Sequence, residues 1–246
     1  MRARRREKWR ARAERVRDAF GLVFVLVILT YVLASLLDNR GWGSVVITAA
    51  SGATSVIALT SSHVKPRFVH LVIWSSGLTI ALAAIGAASG AHVWLNFASL
   101  IQIILLTLAM AAVLRRVVNS DNVSSRTILG AISVYVVLGL LFTFVYGTIA
   151  RIQHEPFFEG VPHPQGNDFL FFSYTTLTTT GFGDLVPGGQ PGRMISGLEM
   201  MIGQIFLVTL VAGLVALWRP GEAMRRRQER RAEAKSAPDP PSAAQL

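Results

Sequence analysis

The chain has 246 residues, 52% of them hydrophobic and 15% charged, with a formal net charge of +10 and no cysteine. A soluble domain carries about 25% charged residues, so this composition is that of a membrane protein, and disulfides and thiolate metal sites are excluded. The excess of Lys and Arg does not point to nucleic acid. It gathers in the first 17 residues, in the tail after Trp218 and in short loops between apolar runs, where it suits flanks facing anionic lipid, and no nucleic-acid recognition motif accompanies it.

Residues 1–18 mix Arg4, Arg5, Arg6, Lys8, Arg10, Arg12 and Arg15 with Glu7, Trp9 and Glu14, which reads as a basic helix on the inner membrane surface. The apolar run from Phe20 to Leu37 follows at once. It is longer than the ~7–15 residues of a signal-peptide core, so it is expected to be a retained transmembrane helix. Ser44 to Ser62 is rich in Ala, Ser, Thr and Gly, small residues that allow close helix approach in lipid, and is expected to be a second span buried among its neighbours. Phe68 to Ser89 is a third, with Gly86 and Gly90 at the spacing of a packing motif. Val93 to Leu114 is a fourth, closed by Arg115 and Arg116, and Ile128 to Ala150 a fifth. A loop with Pro, Gly and His follows (Arg151 to Asn167). Then come the aromatic segment Asp168 to Leu177, too short to span, a Thr- and Gly-rich run, and the last span, Met194 to Trp218.

Six spans place both ends on one side. Lys and Arg crowd the N-terminus, the loop with Lys65 and Arg67, the loop with Arg115, Arg116 and Arg126, and the C-terminus; the alternate loops hold little. The positive-inside rule therefore predicts both termini in the cytoplasm, and the connection between spans five and six enters from outside. Asn122-Val123-Ser124 is a formal glycosylation sequon, but this topology leaves it on the cytoplasmic side.

That connection holds Thr178-Thr179-Thr180-Gly181-Phe182-Gly183-Asp184. Non-helical backbone at membrane depth is tolerated only where protein or water buries it. Gly181 and Gly183 can adopt positive φ without a side-chain clash, so successive carbonyls can point to one axis. The half-helix before the run, with Asn167 or Asp168 as its cap, would direct its C-terminal carbonyls toward the membrane centre, where they favour a cation.

The run resembles the selectivity filter of potassium channels, the Thr-x-Gly-Tyr-Gly type of loop, in which carbonyls replace the ion's water shell. The resemblance covers roughly residues 125 to 219: filter, preceding half-helix and following Gly-bearing span. It implies ion binding by Thr179, Thr180, Gly181, Phe182 and Gly183, with K+ at the filter carbonyls and the Thr179 hydroxyl closing the innermost site. Asp184 would stand at the outer mouth, raising local cation concentration. Thr175 occupies a supporting position at which some members carry a Glu. Thr180 stands where Val or Ile is commoner and Phe182 where Tyr is commoner.

In the last span, Gly203 lies where the family has an inner-helix glycine; it reads either as a gating hinge or as a packing contact. Gln204, Leu207, Val211 and Val215 share a helical face that could line a cavity. Glu199, an ionisable group within a span, is a functional candidate, either bonded to the loop or half-helix behind the filter or held as a protonated structural residue. The fourth span carries no basic residue before Arg115. One charge crossing the field is worth ~2.3 kcal/mol per 100 mV, so steep voltage gating is not expected. The short tail is expected to hold no nucleotide-binding regulatory domain. The five histidines are scattered, with His154 and His163 in the outer loop.

The expected fold is an all-α membrane protein, six transmembrane helices plus a re-entrant pore helix and filter loop between helices five and six. It divides into a basic cytoplasmic segment (1–18), a four-helix domain without voltage-sensor arginines (19–116), a pore domain (125–219) and a basic, then disordered, tail (220–246). The expected function is passive potassium conduction across the cell membrane by a homotetramer. A weakly selective cation channel and a non-conducting subunit with a relic pore loop stand as alternatives. No cofactor is expected beyond potassium as permeant ligand, and the partners are further copies of the chain and lipid, anionic at the basic ends. No nucleophile–base pair or metal cluster suggests an enzyme.

Overall fold

Lipid offers no partner to a backbone N–H or C=O, so an apolar run inside a membrane closes its hydrogen bonds within itself as a helix. The computed structural model describes residues 20–37, 41–62, 66–119, 125–153 and 155–217, and each of the apolar runs is helical. The helices are α1 (Phe20–Leu36), α2 (Trp42–Ser61), α3 (Pro66–Ser89), α4 (His92–Val118), α5 (Ser125–Ile152), α6 (Gly166–Leu177) and α7 (Gln190–Leu217). No strand occurs among the described residues, only isolated bridges from Phe158 to Val161 and Pro187. Helices α2 to α5 and α7 are each long and apolar enough to cross a membrane. The 17 residues of α1 rise about 26 Å, at the short end of what spans a bilayer core. The basic segment 1–18, Arg40, Lys65, His154 and the tail from Trp218 lie outside the described residues.

Two units divide the chain, Met1–Val208 and Thr209–Leu246. In the first, the small residues of α2 do what their size permits. Half of its most apolar window is inside the protein, against 22% for α3, and a Cβ on Gly52 would meet Ser76 of α3 at 3.2 Å. Thr30 of α1 and Thr54 of α2 share a 3.0 Å hydrogen bond. The expected Gly86/Gly90 packing pair divides into two roles. Gly86 is pressed against Leu95 of α4, whose side chain a Cβ would meet at 2.8 Å, whereas Gly90 has φ +68 and open space around it. It ends α3 in a left-handed turn, the usual place for glycine.

The loop between α5 and α6 is built inward. Phe157 and Phe158 are buried and pack edge-on to each other at 4.8 Å. Phe157 also meets Tyr146 of α5 and Phe169 of α6, each at 5.5 Å. Gly188 N–H donates to Phe157 O and Glu159 N–H to Val186 O. Arg193 pairs with Glu159 at 2.7 Å and donates to Pro187 O at 3.0 Å, so the loops on either side of α6 are stitched together.

Candidate functional site

Helix α6 is the platform of the site. Its start differs from the expected Asn167 or Asp168 cap: Gln165 is the N-cap, and Asp168, three residues on, accepts from the Gln165 N–H at 2.7 Å. A carboxylate in the first turn reaches back to the cap N–H because the helix brings those two positions together. Asn167 Oδ1 is instead buried with no hydrogen-bond partner among the described residues.

At the other end of α6 the chain turns straight into the Thr/Gly run. The N–H groups of Thr178 and Thr179 donate to Tyr174 O (3.0 Å) and Thr176 O (2.9 Å), and those of Thr180 and Gly181 both donate to Thr175 O (2.8 and 3.1 Å). Leu177 O accepts from the Tyr135 hydroxyl of α5 at 3.1 Å. The last four carbonyls of α6, expected to be offered toward a cation, are therefore occupied, three of them as anchors for the loop. By contrast, no carbonyl from Thr179 to Gly183 accepts a hydrogen bond among the described residues, and the run from Thr178 to Asp184 is exposed throughout. Positive φ recurs at every second residue: Thr179 (57), Gly181 (50) and Gly183 (84).

The two glycines were legible as left-handed positions, but Thr179 was not. It is the one described non-glycine residue with positive φ, and for a β-branched side chain that is a strained conformation. Counting back in twos from Gly183 and Gly181 would have reached it. Thr180 turns its hydroxyl to that of Thr178 at 2.8 Å. Phe182 lacks a hydroxyl to brace it; its ring lies on Phe171 of α6, centroids 5.7 Å apart and planes 13° from parallel, a contact worth about 0.5–1.5 kcal/mol. Thr175 donates its own hydroxyl to Phe172 O at 3.0 Å and serves the loop through its carbonyl. Asp184 is exposed at the end of the run.

Behind α6 lies Glu199, fully buried. The Tyr146 hydroxyl of α5 donates to its Oε2 at 2.5 Å, and Ser173 Oγ of α6 lies 2.6 Å from its Oε1 and 2.8 Å from Gly139 O of α5. One carboxyl group thus joins α5, α6 and α7. Tyr174 adds a second tie, its ring lying over Gly139, where a Cβ would come within 2.6 Å, and its hydroxyl donating to Val136 O at 2.6 Å. Sequence reading reached Glu199 but not Tyr146, Ser173, Phe157 or Phe158. The adjacent Phe pair in an otherwise polar, Pro- and Gly-containing loop was the one available signal.

Gly203 is buried, and a Cβ there would overlap Leu177 O and come within 2.8 Å of the Leu177 side chain. Its absent side chain lets α7 touch the end of α6, which is a packing role. Gly197, on the same helix, has nothing within 4 Å. Gly203→Ala is accordingly expected to cost about 1–3 kcal/mol through overpacking, read as a fall in thermal midpoint in detergent. Gln204 and Leu207 are exposed; Val211 is exposed too and belongs to the second unit, and the side chain of Val215 is not among those described.

Residues 132–219 match the model of a protein family described as "Ion channel". A cyclic nucleotide-gated potassium channel of Rhizobium etli is 34% identical over 93 residues, which is 37% of this chain and 24% of that protein. The chain therefore spans about a quarter of the length of this curated relative. No solved structure matches it. With its apolar helices the chain is a multi-pass membrane protein, and its segment 132–219, which holds the tethered loop, is similar to the ion channel family.

Proposed function

We propose that four copies of this chain form a channel that conducts potassium passively along the Thr178–Asp184 loop, without steep dependence on voltage. The observation that carries this reading is the loop's hydrogen bonding. Its first N–H groups are tied back to α6, while the carbonyls from Thr179 to Gly183 are left free. In an extended strand carbonyls alternate in direction; reversing φ at every second residue cancels that alternation. Five successive oxygens can then replace the hydration shell of an ion stripped of water. An ion needs ligands all round, and one chain supplies one side. A closed ring of four identical loops meets that need with the rotational symmetry usual for oligomers of one chain. The exposed apolar face of α7, with Met194, Leu198, Met201 and Ile205, would be covered in such a ring. The relative's printed name favours potassium as the permeant ion.

Thr180 and Phe182 support a second reading, a weakly selective cation channel, because both depart from the commoner filter residues. The distribution of basic residues supports cytoplasmic termini by the positive-inside rule, and Arg115 as the first Lys or Arg of α4 leaves no fixed charge within that span for the field to move. The test is flux from liposomes holding purified protein and a potassium gradient. Potassium flux blocked by barium, with sodium failing to replace potassium, is expected. Equal potassium and sodium permeability in reversal-potential measurements would establish the weakly selective reading, and absence of flux would leave a subunit that does not conduct. Conductance rising steeply with voltage in single-channel records would overturn voltage independence.

A further inference from the structure

Tyr174 of α6 stands where the first four helices meet the mount of the loop. Its ring lies over Gly139 of α5 and its hydroxyl donates to Val136 O at 2.6 Å. The ring of Tyr31 of α1 meets it edge to face, centroids 4.9 Å apart and planes at 78°. Among the described residues, α1 is the one of the first four helices that packs on α6. Tyr31 follows Thr30, which shares a hydrogen bond with Thr54 of α2, so α1 is fastened to its own neighbours at this level. The backbone of Tyr174 in turn carries the start of the loop. Its carbonyl accepts the Thr178 N–H at 3.0 Å and the Thr178 hydroxyl at 2.7 Å. With its one proton directed there, the Thr178 hydroxyl accepts from that of Thr180, 2.8 Å away.

We propose that Tyr31 is a positioning residue for the Thr178–Asp184 loop, acting through Tyr174, and that by this contact the first four helices set how the loop presents its carbonyls. Its effect on selectivity rests on the reading of the loop as a conduction path; its effect on the loop's order does not. On the α5 side the Tyr174 ring has no room to move, because a glycine already faces it and even a Cβ there would come within 2.6 Å. On the α1 side the Tyr31 ring fills space that a smaller side chain would leave as a void, forfeiting dispersion contacts and the edge-to-face attraction of the two rings. Without that ring Tyr174 is free to tilt toward α1 and draw its hydroxyl from Val136 O. The carbonyl that holds Thr178, and through Thr178 the Thr180 hydroxyl, then loses its fixed place. Selection among ions depends on how the coordinating carbonyls are disposed, so the disturbance is felt in the loop before it is felt in the fold.

Amide hydrogen exchange of the full chain in detergent, read by mass spectrometry, tests this with Tyr31→Leu, Tyr31→Phe and Leu29→Ala, Leu29 being an exposed residue of the same helix. In Tyr31→Leu the Thr178–Gly181 amides are expected to exchange about threefold faster or more, the factor carried by one edge-to-face ring pair, while those of α2 and α3 exchange as in the native protein. Tyr31→Phe keeps the ring and should restore native exchange, and Leu29→Ala should not alter it. Tyr31→Met takes the place of Tyr31→Leu if that variant fails to fold. In liposomes the potassium-to-sodium permeability ratio should fall about threefold in Tyr31→Leu and return in Tyr31→Phe. Native exchange of the loop in Tyr31→Leu, acceleration shared equally with α2 and α3, or the same acceleration in Tyr31→Phe or Leu29→Ala would each overturn the proposal. An unchanged permeability ratio beside a faster-exchanging loop would overturn its effect on selectivity. A native protein without flux would instead sink the conduction reading, and the exchange comparison would still decide whether Tyr31 positions the loop.

Discussion

Gly181→Ala and Gly183→Ala are each expected to abolish potassium flux while leaving the helices folded. Neither position is crowded, since an added Cβ would meet nothing within 4 Å. The effect therefore comes through the backbone. At φ +50 and +84 an L-alanine is disfavoured by about 1–2 kcal/mol, and in a ring of four chains the penalty reaches roughly 4–8 kcal/mol per pore. The loop can escape that cost by turning one peptide over. Turning it swings a carbonyl out of the row and an N–H into it, placing a donor where a cation needs an oxygen. Gly197→Ala is the matched control: it sits in a helix with open space around it and should leave flux unchanged, with stability raised by up to about 1 kcal/mol. Liposome flux measured on all three variants decides the matter. Wild-type flux from Gly181→Ala would remove the loop from the conduction path.

Glu199→Leu is expected to be the most damaging single change outside the loop. It removes both acceptor oxygens from a fully buried site, stranding the Tyr146 hydroxyl and taking one of two acceptors from Ser173, where a buried hydroxyl without a partner costs about 1–3 kcal/mol. Ser173 retains Gly139 O as a partner, so the loss should settle within that range. The melting temperature in detergent should fall, and flux should fall with it, because Ser173 belongs to the helix on which the loop is mounted. Glu199→Gln behaves differently. Ser173 has one hydroxyl proton and two oxygens within reach, Gly139 O and Glu199 Oε1. An amide can accept from Tyr146 through its oxygen and donate to Ser173 through its nitrogen, which frees Ser173 to donate to Gly139. The Gln variant should therefore stay within about 1 kcal/mol of the native protein. If it melts as low as the Leu variant, both carboxyl oxygens are required as acceptors.

What the sequence made legible was set by local physics. Each apolar run became a helix because in lipid no other arrangement satisfies the backbone, and the boundaries moved by a few residues at most: α7 begins at Gln190 rather than Met194, its first turn containing Pro191, which suits a helix start. Gly181 and Gly183 were legible because only glycine takes positive φ without strain. Thr179 was hidden because its conformation is imposed by the loop's tether to Thr175 and Thr176, which no property of threonine announces. Glu199 could be singled out as a carboxyl group in an apolar span, but its partners could not. Tyr146 lies 53 residues away and Ser173 lies 26 away, and each is an ordinary residue for its own helix. The choice between hinge and packing contact at Gly203 could not be made from position alone; the nearness of Leu177 is a fact of how α6 and α7 meet.

The exposure of the whole Thr178–Asp184 run in a single chain has a consequence for inheritance. If the working pore is closed only by four neighbours, the share of pores free of a broken loop falls as the fourth power of the share of intact subunits. Where native and Gly181→Ala subunits are made in equal amounts and mix at random, about one pore in sixteen is free of the defect. A second, damaged copy of the gene should then silence most of the conductance of an intact one, whereas a lesion that prevents assembly altogether, confined to the chain that carries it, should leave that conductance unchanged.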